Sequence, residues 1–336
     1  MIHAMRLLVT GGGGFLGRNI ALRLAGMGYD VHTFGRRSYA DFPAGITQVQ
    51  GDLKNPDDVL KACDGMDAVF HAGALTGIWG PARAFEETNV LGTQNVIDAC
   101  RSQQVSRLIY TSSPSVVSAP HDLENADETT PYPEIFLSDY PRTKAEAERR
   151  VLSANGEGGL ATVSLRPHLI YGPGDPHLIP RILQRASKKQ LVRVGNGENL
   201  VDIIYIDNAV EGHIRALESL QTSSGCAGRA YFLSDGHPVN LWDWINQLLA
   251  EFGLPPVTRS LSHPLATFIG GILEGFYRGM SVEAEPRMTR FLAAQLAKSH
   301  YFDISNARRD LSYVPLVTQE EGWKRMVAWF REHPAG

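Results

Sequence analysis

The feature that most constrains the fold is a strand, a glycine-rich turn and a helix close to residue 10. Residues 6–10 are an apolar run that predicts a buried parallel strand, and an amphipathic helical pattern follows as far as Met27. Between them, Gly11, Gly14 and Gly17 are spaced to permit a tight turn, close approach of a pyrophosphate and close helix–strand packing. The helix N-terminus would face the phosphates. The sequence therefore predicts a dinucleotide-binding unit.

Strands and helices alternate over the next hundred residues. Further strands are predicted at residues 30–34, 46–50, 68–71 and 107–111. Helices separate them, the longest over 81–101, so we predict an α/β fold with a Rossmann-type doubly wound parallel sheet. Ligands of such sheets bind beyond the carboxyl ends of the strands, where 72–74 and 112–113 fall.

The chain is long enough for a second, smaller lobe. Its 336 residues exceed one minimal core. We expect an NADP-binding Rossmann domain over residues 1–175, continued by 200–235. An interleaved C-terminal substrate-binding lobe would comprise 176–199 and 236–336, with apolar lid helices near 261–300.

An apolar stripe at helical spacing marks the expected lid. It consists of Leu265, Phe268, Ile269, Ile272, Leu273 and Phe276. We interpret it as a mobile cover over an apolar substrate. Packing on the core and transient contact with a membrane surface are the alternatives.

Composition excludes several functions. The net charge is −4, so no basic field exists to attract nucleic acid. Cys63, Cys100 and Cys226 lack C-x-x-C spacing and are predicted to be buried thiols of a reducing compartment, with no disulfide and no metal site. We see neither a signal peptide nor an apolar run long enough to span a membrane, and we expect a cytoplasmic protein.

The end of the second strand bears on cofactor choice. An NAD site usually has an Asp or Glu there for the ribose hydroxyls, whereas this chain has Gly35 followed by Arg36 and Arg37. Guanidinium groups favour a 2′-phosphate, which indicates NADP(H). The alternative is a solvated dibasic loop. Asp52 could accept from the adenine amino group or cap the helix beginning near Pro56.

A tyrosine and a lysine form the candidate acid–base pair. Tyr140 and Lys144 are four residues apart at the start of a helical run, so they share one face. A free phenol has a pKa near 10, and a neighbouring cation would lower it towards neutral pH. The pair alone is common on amphipathic helices. His71 is predicted to be a packed residue at a strand end rather than a catalyst.

Together these pieces resemble the extended short-chain dehydrogenases/reductases. The matching motifs are Thr10-Gly11-x-x-Gly14-x-x-Gly17, Gly51-Asp52-Leu53, His71-Ala72-Gly73-Ala74, Thr88-Asn89-Val90, Thr111-Ser112-Ser113, Tyr140-x-x-x-Lys144, Arg166-Pro167 and Tyr171-Gly172-Pro173-Gly174. Two departures, Gly35 and Val116-Val117-Ser118, weaken a likeness to sugar-nucleotide epimerases. The chain is more similar to the 3β-hydroxysteroid dehydrogenase branch.

The resemblance implies roles for particular residues. Tyr140 would be the general acid–base, and Lys144 would bond the nicotinamide ribose. Ser113, rather than Ser112, would polarise a carbonyl oxygen while nicotinamide C4 exchanges the hydride. We expect the cofactor to contact Gly11, Gly14, Phe15, Leu16, Gly17, Arg36, Arg37, Asp52, Leu53, Ala72, Gly73, Ala74, Tyr140, Lys144 and Pro167. Trp79, His168 and Tyr171 are the candidate substrate residues, with a structural role as the alternative for His168.

A narrower resemblance is to the 2-alkyl-3-oxoalkanoate reductases of bacterial long-chain olefin synthesis. It rests on runs at 77–80, 110–116, 165–170, 172–178 and 199–202. It implies NADPH-dependent reduction of a β-keto acid with two alkyl chains.

The sequence is also compatible with other functions. The alternatives are a steroid-type dehydrogenase, a sugar-nucleotide epimerase or dehydratase, and a non-catalytic NADP-binding regulator. The intact Ser113, Tyr140 and Lys144 argue against the regulator. A homodimer through the helices at 81–101 and 138–154 is implied by the family resemblance.

Overall fold

A seven-stranded, wholly parallel sheet forms the centre of the molecule. The computed structural model describes residues 4–222, 225–280 and 282–333. The strands are β1 (Arg6–Thr10), β2 (Asp30–Gly35), β3 (Ile46–Gln50), β4 (Ala68–His71), β5 (Arg107–Thr111), β6 (Ala161–Pro167) and β7 (Arg229–Leu233). Their order is β7-β6-β5-β4-β1-β2-β3, so the chain reverses direction across the sheet between β1 and β4. The predicted Rossmann-type doubly wound sheet is confirmed.

Helices cover both faces of this sheet. They are α1 (Phe15–Gly26), α2 (Pro56–Ala62), α3 (Ala82–Phe85), α4 (Gly92–Ser102), α5 (Asp139–Ser153), α6 (Leu178–Ser187), α7 (Ile206–Thr222), α8 (Leu241–Glu251), α9 (His263–Gly279), α10 (Arg290–Ala297), α11 (Ser305–Leu311) and α12 (Gln319–Glu332). Leu7 and Val9 of β1 pack with α1 and α7, whereas Leu8 packs on the side of α2, α4 and α5. Because successive side chains alternate between two buried faces, the strands read as continuous apolar runs.

The helix predicted over 81–101 is helical from residue 82 to residue 102, but its middle is not α-helical. Residues Glu86–Leu91 form a π-helical segment between α3 and α4. Such segments are rare and often occur at functional sites. Here the segment contains Asn89, whose side chain is buried.

Short strands build the smaller part of the molecule. A four-stranded sheet comprises Leu123–Ala126, Leu200–Val201, Val239–Asn240 and His300–Phe302. Two further pairs are Ile170–Tyr171 with Ile204–Tyr205, and Arg193–Val194 with Ser260–Leu261. Two 3₁₀ turns occur at Pro114–Val117 and Glu157–Gly159. Between β6 and β7 the chain forms Ile170–Tyr171, α6, Arg193–Val194, Leu200–Val201, Ile204–Tyr205 and α7.

The apolar stripe of α9 faces outwards. Phe268, Ile272 and Phe276 are 66, 56 and 60% exposed, and Leu265 is 47% exposed. Core packing of the whole stripe, one of the alternatives, is therefore wrong. The buried face of α9 consists of Ala266, Gly270 and Glu274, and it lies against the start of α10.

Within the described residues, no helix has both the length and the apolarity needed to cross a membrane. The three cysteines, Cys63, Cys100 and Cys226, are all buried and free, as predicted.

Candidate active site

A cavity of about 820 Å³ lies beyond the carboxyl ends of the central strands. All the residues predicted to contact the cofactor line it, and so does Ser113. They are Gly11, Gly14, Phe15, Leu16, Gly17, Arg36, Arg37, Asp52, Leu53, Ala72, Gly73, Ala74, Tyr140, Lys144 and Pro167. The cavity is large enough for an extended ligand, and it joins the glycine turn to Tyr140 and Lys144.

The glycine turn leaves a cradle that side chains would fill. Gly11 has a φ of +68°, and a Cβ built on it would lie 2.6 Å from the Cα of Gly73. A Cβ on Gly17 would overlap the carbonyl oxygen of Gly11. The Gly14 N–H donates a hydrogen bond to the Gly11 carbonyl at 2.9 Å, and this bond closes the turn. The exposed backbone at the start of α1 therefore fits the pyrophosphate of a dinucleotide.

A buried histidine holds this cradle in place. The Gly73 N–H donates to Thr10 Oγ1 at 3.2 Å, and Thr10 Oγ1 lies 2.6 Å from Nδ1 of His71. Nε2 of His71 is 3.0 Å from Thr93 Oγ1, which donates to the Asn89 carbonyl. Burial lowers the pKa of His71 to about 3, so the ring is neutral. The structure therefore agrees with the prediction that His71 is a packed residue at the end of β4.

The two arginines after β2 line the same cavity. Arg36 and Arg37 are exposed and line the wall, and neither forms a salt bridge within the described part of the chain. Asp52 also lines the cavity, with Oδ1 accepting the Lys54 N–H at 3.0 Å. Asp52 does not cap α2, because the capping side chain is that of Asn55.

At the other end, Ser113 lies beside Tyr140. Ser113 Oγ accepts hydrogen bonds from the N–H of Ser115 at 3.2 Å and from its hydroxyl at 2.9 Å. Because a hydroxyl accepts two bonds and donates one, its proton remains to be donated towards Tyr140. That hydrogen bond acts to lower the pKa of Tyr140. The hydroxyl of Ser112 is buried and finds no partner in the described structure.

The expected effect of Lys144 on Tyr140 is not found. Lys144 Nζ donates to the Thr111 carbonyl at 2.6 Å and lies 4.2 Å from the centre of the Tyr110 ring. Withdrawal from water raises the pKa of Tyr140, against the opposing Ser113 bond. Burial also lowers the pKa of Lys144 to about 7, with Glu148 opposing. For both groups, desolvation is the largest cause of the pKa shift, and it outweighs the pairing that the i, i+4 spacing suggested.

A buried ion pair supports α5, the helix that carries Tyr140 and Lys144. Glu148 receives Arg166 Nη2 at 2.6 Å and Nε at 3.0 Å, and the hydroxyls of Tyr132 and Ser164 at 2.7 Å each. Burial opposes ionisation of Glu148, but Arg166 outweighs it and lowers the pKa. The pair ties α5 to β6 one turn beyond Lys144.

Asn89 connects the same helix to the loop after β4. Its side chain accepts the Leu75 N–H at 2.7 Å and donates to the Leu75 carbonyl at 3.0 Å. It also donates to Thr143 Oγ1 at 3.2 Å. Through Asn89, the π-helical segment thus fixes the position of Leu75 in the cavity wall relative to Thr143, the residue before Lys144.

The three candidate substrate residues do not line the cavity. Trp79 donates through Nε1 to the Val282 carbonyl at 3.2 Å, beyond the end of α9. His168 is buried, with Nε2 2.6 Å from Nδ1 of His300, which agrees with the structural alternative. Tyr171 is fully buried in the core.

Other residues complete the wall near Tyr140. Leu75, Leu169, Ile170 and Leu178 supply apolar surface, and the exposed His177 lies beside them. Leu169 has a φ of +44°, which is rare for a residue with a Cβ and often marks a functional site. Its backbone conformation has no sequence signal, whereas the Ser-x-Ser spacing could have revealed Ser115.

Comparison with known proteins agrees with this geometry. Residues 8–263 match the model of the 3-beta hydroxysteroid dehydrogenase/isomerase family. A 2-alkyl-3-oxoalkanoate reductase of Stenotrophomonas maltophilia is 48% identical, over 96% of this chain and 99% of the relative. A 3-beta-hydroxysteroid dehydrogenase of Mycolicibacterium neoaurum is 34% identical, over 97% and 92%.

A solved structure shows the same fold. MoeE5 in complex with UDP-glucose and NAD superposes with a TM-score of 0.76 at 23% identity, over 98% of this chain and all of the other. The sheet, the glycine cradle and the presence of Tyr140 and Lys144 in one cavity wall agree with the family match. The chain therefore belongs to the 3-beta hydroxysteroid dehydrogenase/isomerase family, whose members are nicotinamide-dependent oxidoreductases of the extended short-chain dehydrogenase/reductase type.

Proposed function

We propose that this enzyme uses NADPH to reduce the keto group of a 2-alkyl-3-oxoalkanoic acid to the 2-alkyl-3-hydroxyalkanoic acid. The observation that carries the proposal is one continuous cavity with arginines at one end and Tyr140 beside an apolar wall at the other. The apolar side chains are Leu75, Leu169, Ile170 and Leu178. They suit alkyl chains better than a sugar. The 48% identical reductase supports the same substrate class.

The residues have complementary tasks in this reaction. When bound, the reduced nicotinamide supplies the hydride that the carbonyl carbon accepts. Ser113 has one proton, which is directed towards Tyr140 without substrate and is donated to the carbonyl oxygen when substrate binds, since Ser115 takes both acceptor positions. Tyr140 transfers its proton to the same oxygen, and its raised pKa keeps that proton present at neutral pH. Lys144 holds the Thr111 carbonyl and presents its ammonium to the ribose side of the cavity.

The cofactor preference rests on the adenosine end. Arg36 and Arg37 have no carboxylate partner in the described chain, and the strand before them ends in Gly35 instead of an acid. Two guanidinium groups without carboxylate partners favour binding of a phosphate over a ribose hydroxyl. This supports NADPH as the reductant.

A substrate panel tests the proposal. Purified protein would be assayed for NADPH consumption with a 2-alkyl-3-oxoalkanoic acid, the same acid without the 2-alkyl chain, a 3-ketosteroid and a UDP-sugar. We expect the branched keto acid to give the highest kcat/KM and the hydroxy acid as its product. Tyr140→Phe serves as the control for background oxidation. Higher kcat/KM on the steroid, or no turnover of any keto acid, would contradict the proposal.

A steroid dehydrogenase is the second candidate. The relative from Mycolicibacterium neoaurum named for that activity matches 97% of this chain, and the apolar wall also suits a sterol. The panel separates the two activities directly.

A further inference from the structure

A tyrosine that no motif identifies lies across the glycine turn. Tyr39 belongs to the loop after β2, and this loop folds back towards α1. A Cβ built on Gly13 would overlap the Tyr39 ring and its hydroxyl oxygen. The hydroxyl edge of the ring therefore rests on the turn itself. Gly13 has an ordinary φ, so the demand for glycine here comes from the ring and not from the backbone.

Hydrogen bonds from β3 fix the position of Tyr39. The Tyr39 N–H donates to Gln48 Oε1 at 2.7 Å, and Gln48 Nε2 donates back to the Tyr39 carbonyl at 2.9 Å. The ring edge meets Phe42 with centroids 6.1 Å apart, and the Arg18 guanidinium lies 4.6 Å from the Phe42 ring centre. Arg18 in turn pairs with Asp41 at 2.9 Å. The loop is held in one conformation, which limits the ordering cost of binding.

The Tyr39 hydroxyl shares its end of the cavity with the two arginines. Tyr39, Arg36, Arg37 and Gly13 all line the wall there. The hydroxyl meets no hydrogen-bonding partner in the described part of the chain. A phenol offers one donor, and a phosphate offers several acceptor oxygens that two guanidinium groups leave partly free.

We infer that the Tyr39 hydroxyl donates a hydrogen bond to the adenosine 2′-phosphate of NADPH and so contributes to the choice of NADPH over NADH. The inference rests on the proposed use of NADPH. It adds a specificity residue to the arginines, and it explains why Gly13 must remain free of a side chain. The hydroxyl also discriminates by position, because Gln48 fixes the Tyr39 backbone and the ring packs on Gly13, whereas Arg36 and Arg37 are exposed.

The test removes one oxygen atom. Tyr39→Phe retains the ring, the packing on Gly13 and both backbone bonds to Gln48. Kd values for NADPH and NADH would be measured by calorimetry, with a melting curve for each protein. We expect the Kd for NADPH to rise about 10-fold, the effect of losing one hydrogen bond to a charged group, and the Kd for NADH to change less than about twofold.

A matched control is Tyr29→Phe, because Tyr29 is also half-buried but does not line the cavity. It should change neither Kd. An unchanged Kd for NADPH in Tyr39→Phe, or an equal rise for both cofactors, overturns the inference. If either result is found while the wild type still prefers NADPH, the proposed cofactor is retained and only the role of Tyr39 is rejected. If the wild type binds both cofactors equally, the proposed cofactor and the role of Tyr39 are both rejected.

Discussion

Lys144 should make the stability of the cofactor-free protein rise with pH above neutrality. Its ammonium is buried, and burial lowers the pKa from 10.5 to about 7. Between these two values the unfolded chain binds a proton that the folded protein does not. Stability therefore rises with pH through this window, by about 1.4 kcal/mol per pH unit and about 4 to 5 kcal/mol in total. Below pH 7 both states are protonated and the contribution of Lys144 is constant.

The substitution Lys144→Met removes the titrating group and keeps the volume. Urea unfolding at pH 6, 7, 8 and 9, without nucleotide, would give the free energy of unfolding of both proteins. We expect the variant to be the more stable one at pH 6 and the difference to shrink by about 1.4 kcal/mol per unit above pH 7. His71, whose pKa Lys144 also lowers, titrates at about 3 and so stays neutral throughout this range, and the difference therefore isolates Lys144. Parallel curves from pH 6 to pH 9 would refute the argument that Lys144 is desolvated.

Three further predictions concern catalysis, cofactor and surface. Tyr140→Phe removes the transferable proton and should lower kcat at least about 100-fold with little change in cofactor Kd; near-normal turnover would exclude it as the acid. Replacing Arg36 and Arg37 by alanine should weaken NADPH about 10- to 150-fold and leave NADH little changed; equal losses would make them a solvated loop. Phe268→Ser with Ile272→Ser should leave the Tm nearly unchanged, because both side chains are exposed. A flatter dependence of kcat/KM on alkyl-chain length in this variant would identify α9 as a lid, and an unchanged dependence would exclude that role.

The parts of the fold that sequence predicts well are those with local causes. The run Leu7–Val9 is apolar because both faces of β1 are buried, and the turn at Gly11 needs glycine for its φ. Both causes act within a few residues, so pattern and spacing reveal them. The residues that line the cavity could be predicted for the same reason, since parallel strands bring their carboxyl ends to one edge of the sheet.

Features that depend on residues far apart in the chain could not be predicted from the sequence. His168 meets His300, 132 residues away, and nothing near either histidine indicates the pair. The stripe on α9 was visible, but periodicity does not say whether such a face meets the core, the cavity or solvent. The pKa of Tyr140 depends on how far the wall excludes water, which the spacing to Lys144 does not reveal.

The edge strand β7 has a consequence for how the chain is made. β6 pairs along its length with β7, which emerges only after residues 168–228 have been synthesised. During synthesis, a nascent chain that ends before β7 leaves one edge of β6 unpaired, with Val163 and Leu165 lacking part of their cover. The sheet therefore closes late, and a fragment cut at residue 175 should aggregate on the ribosome or soon after release.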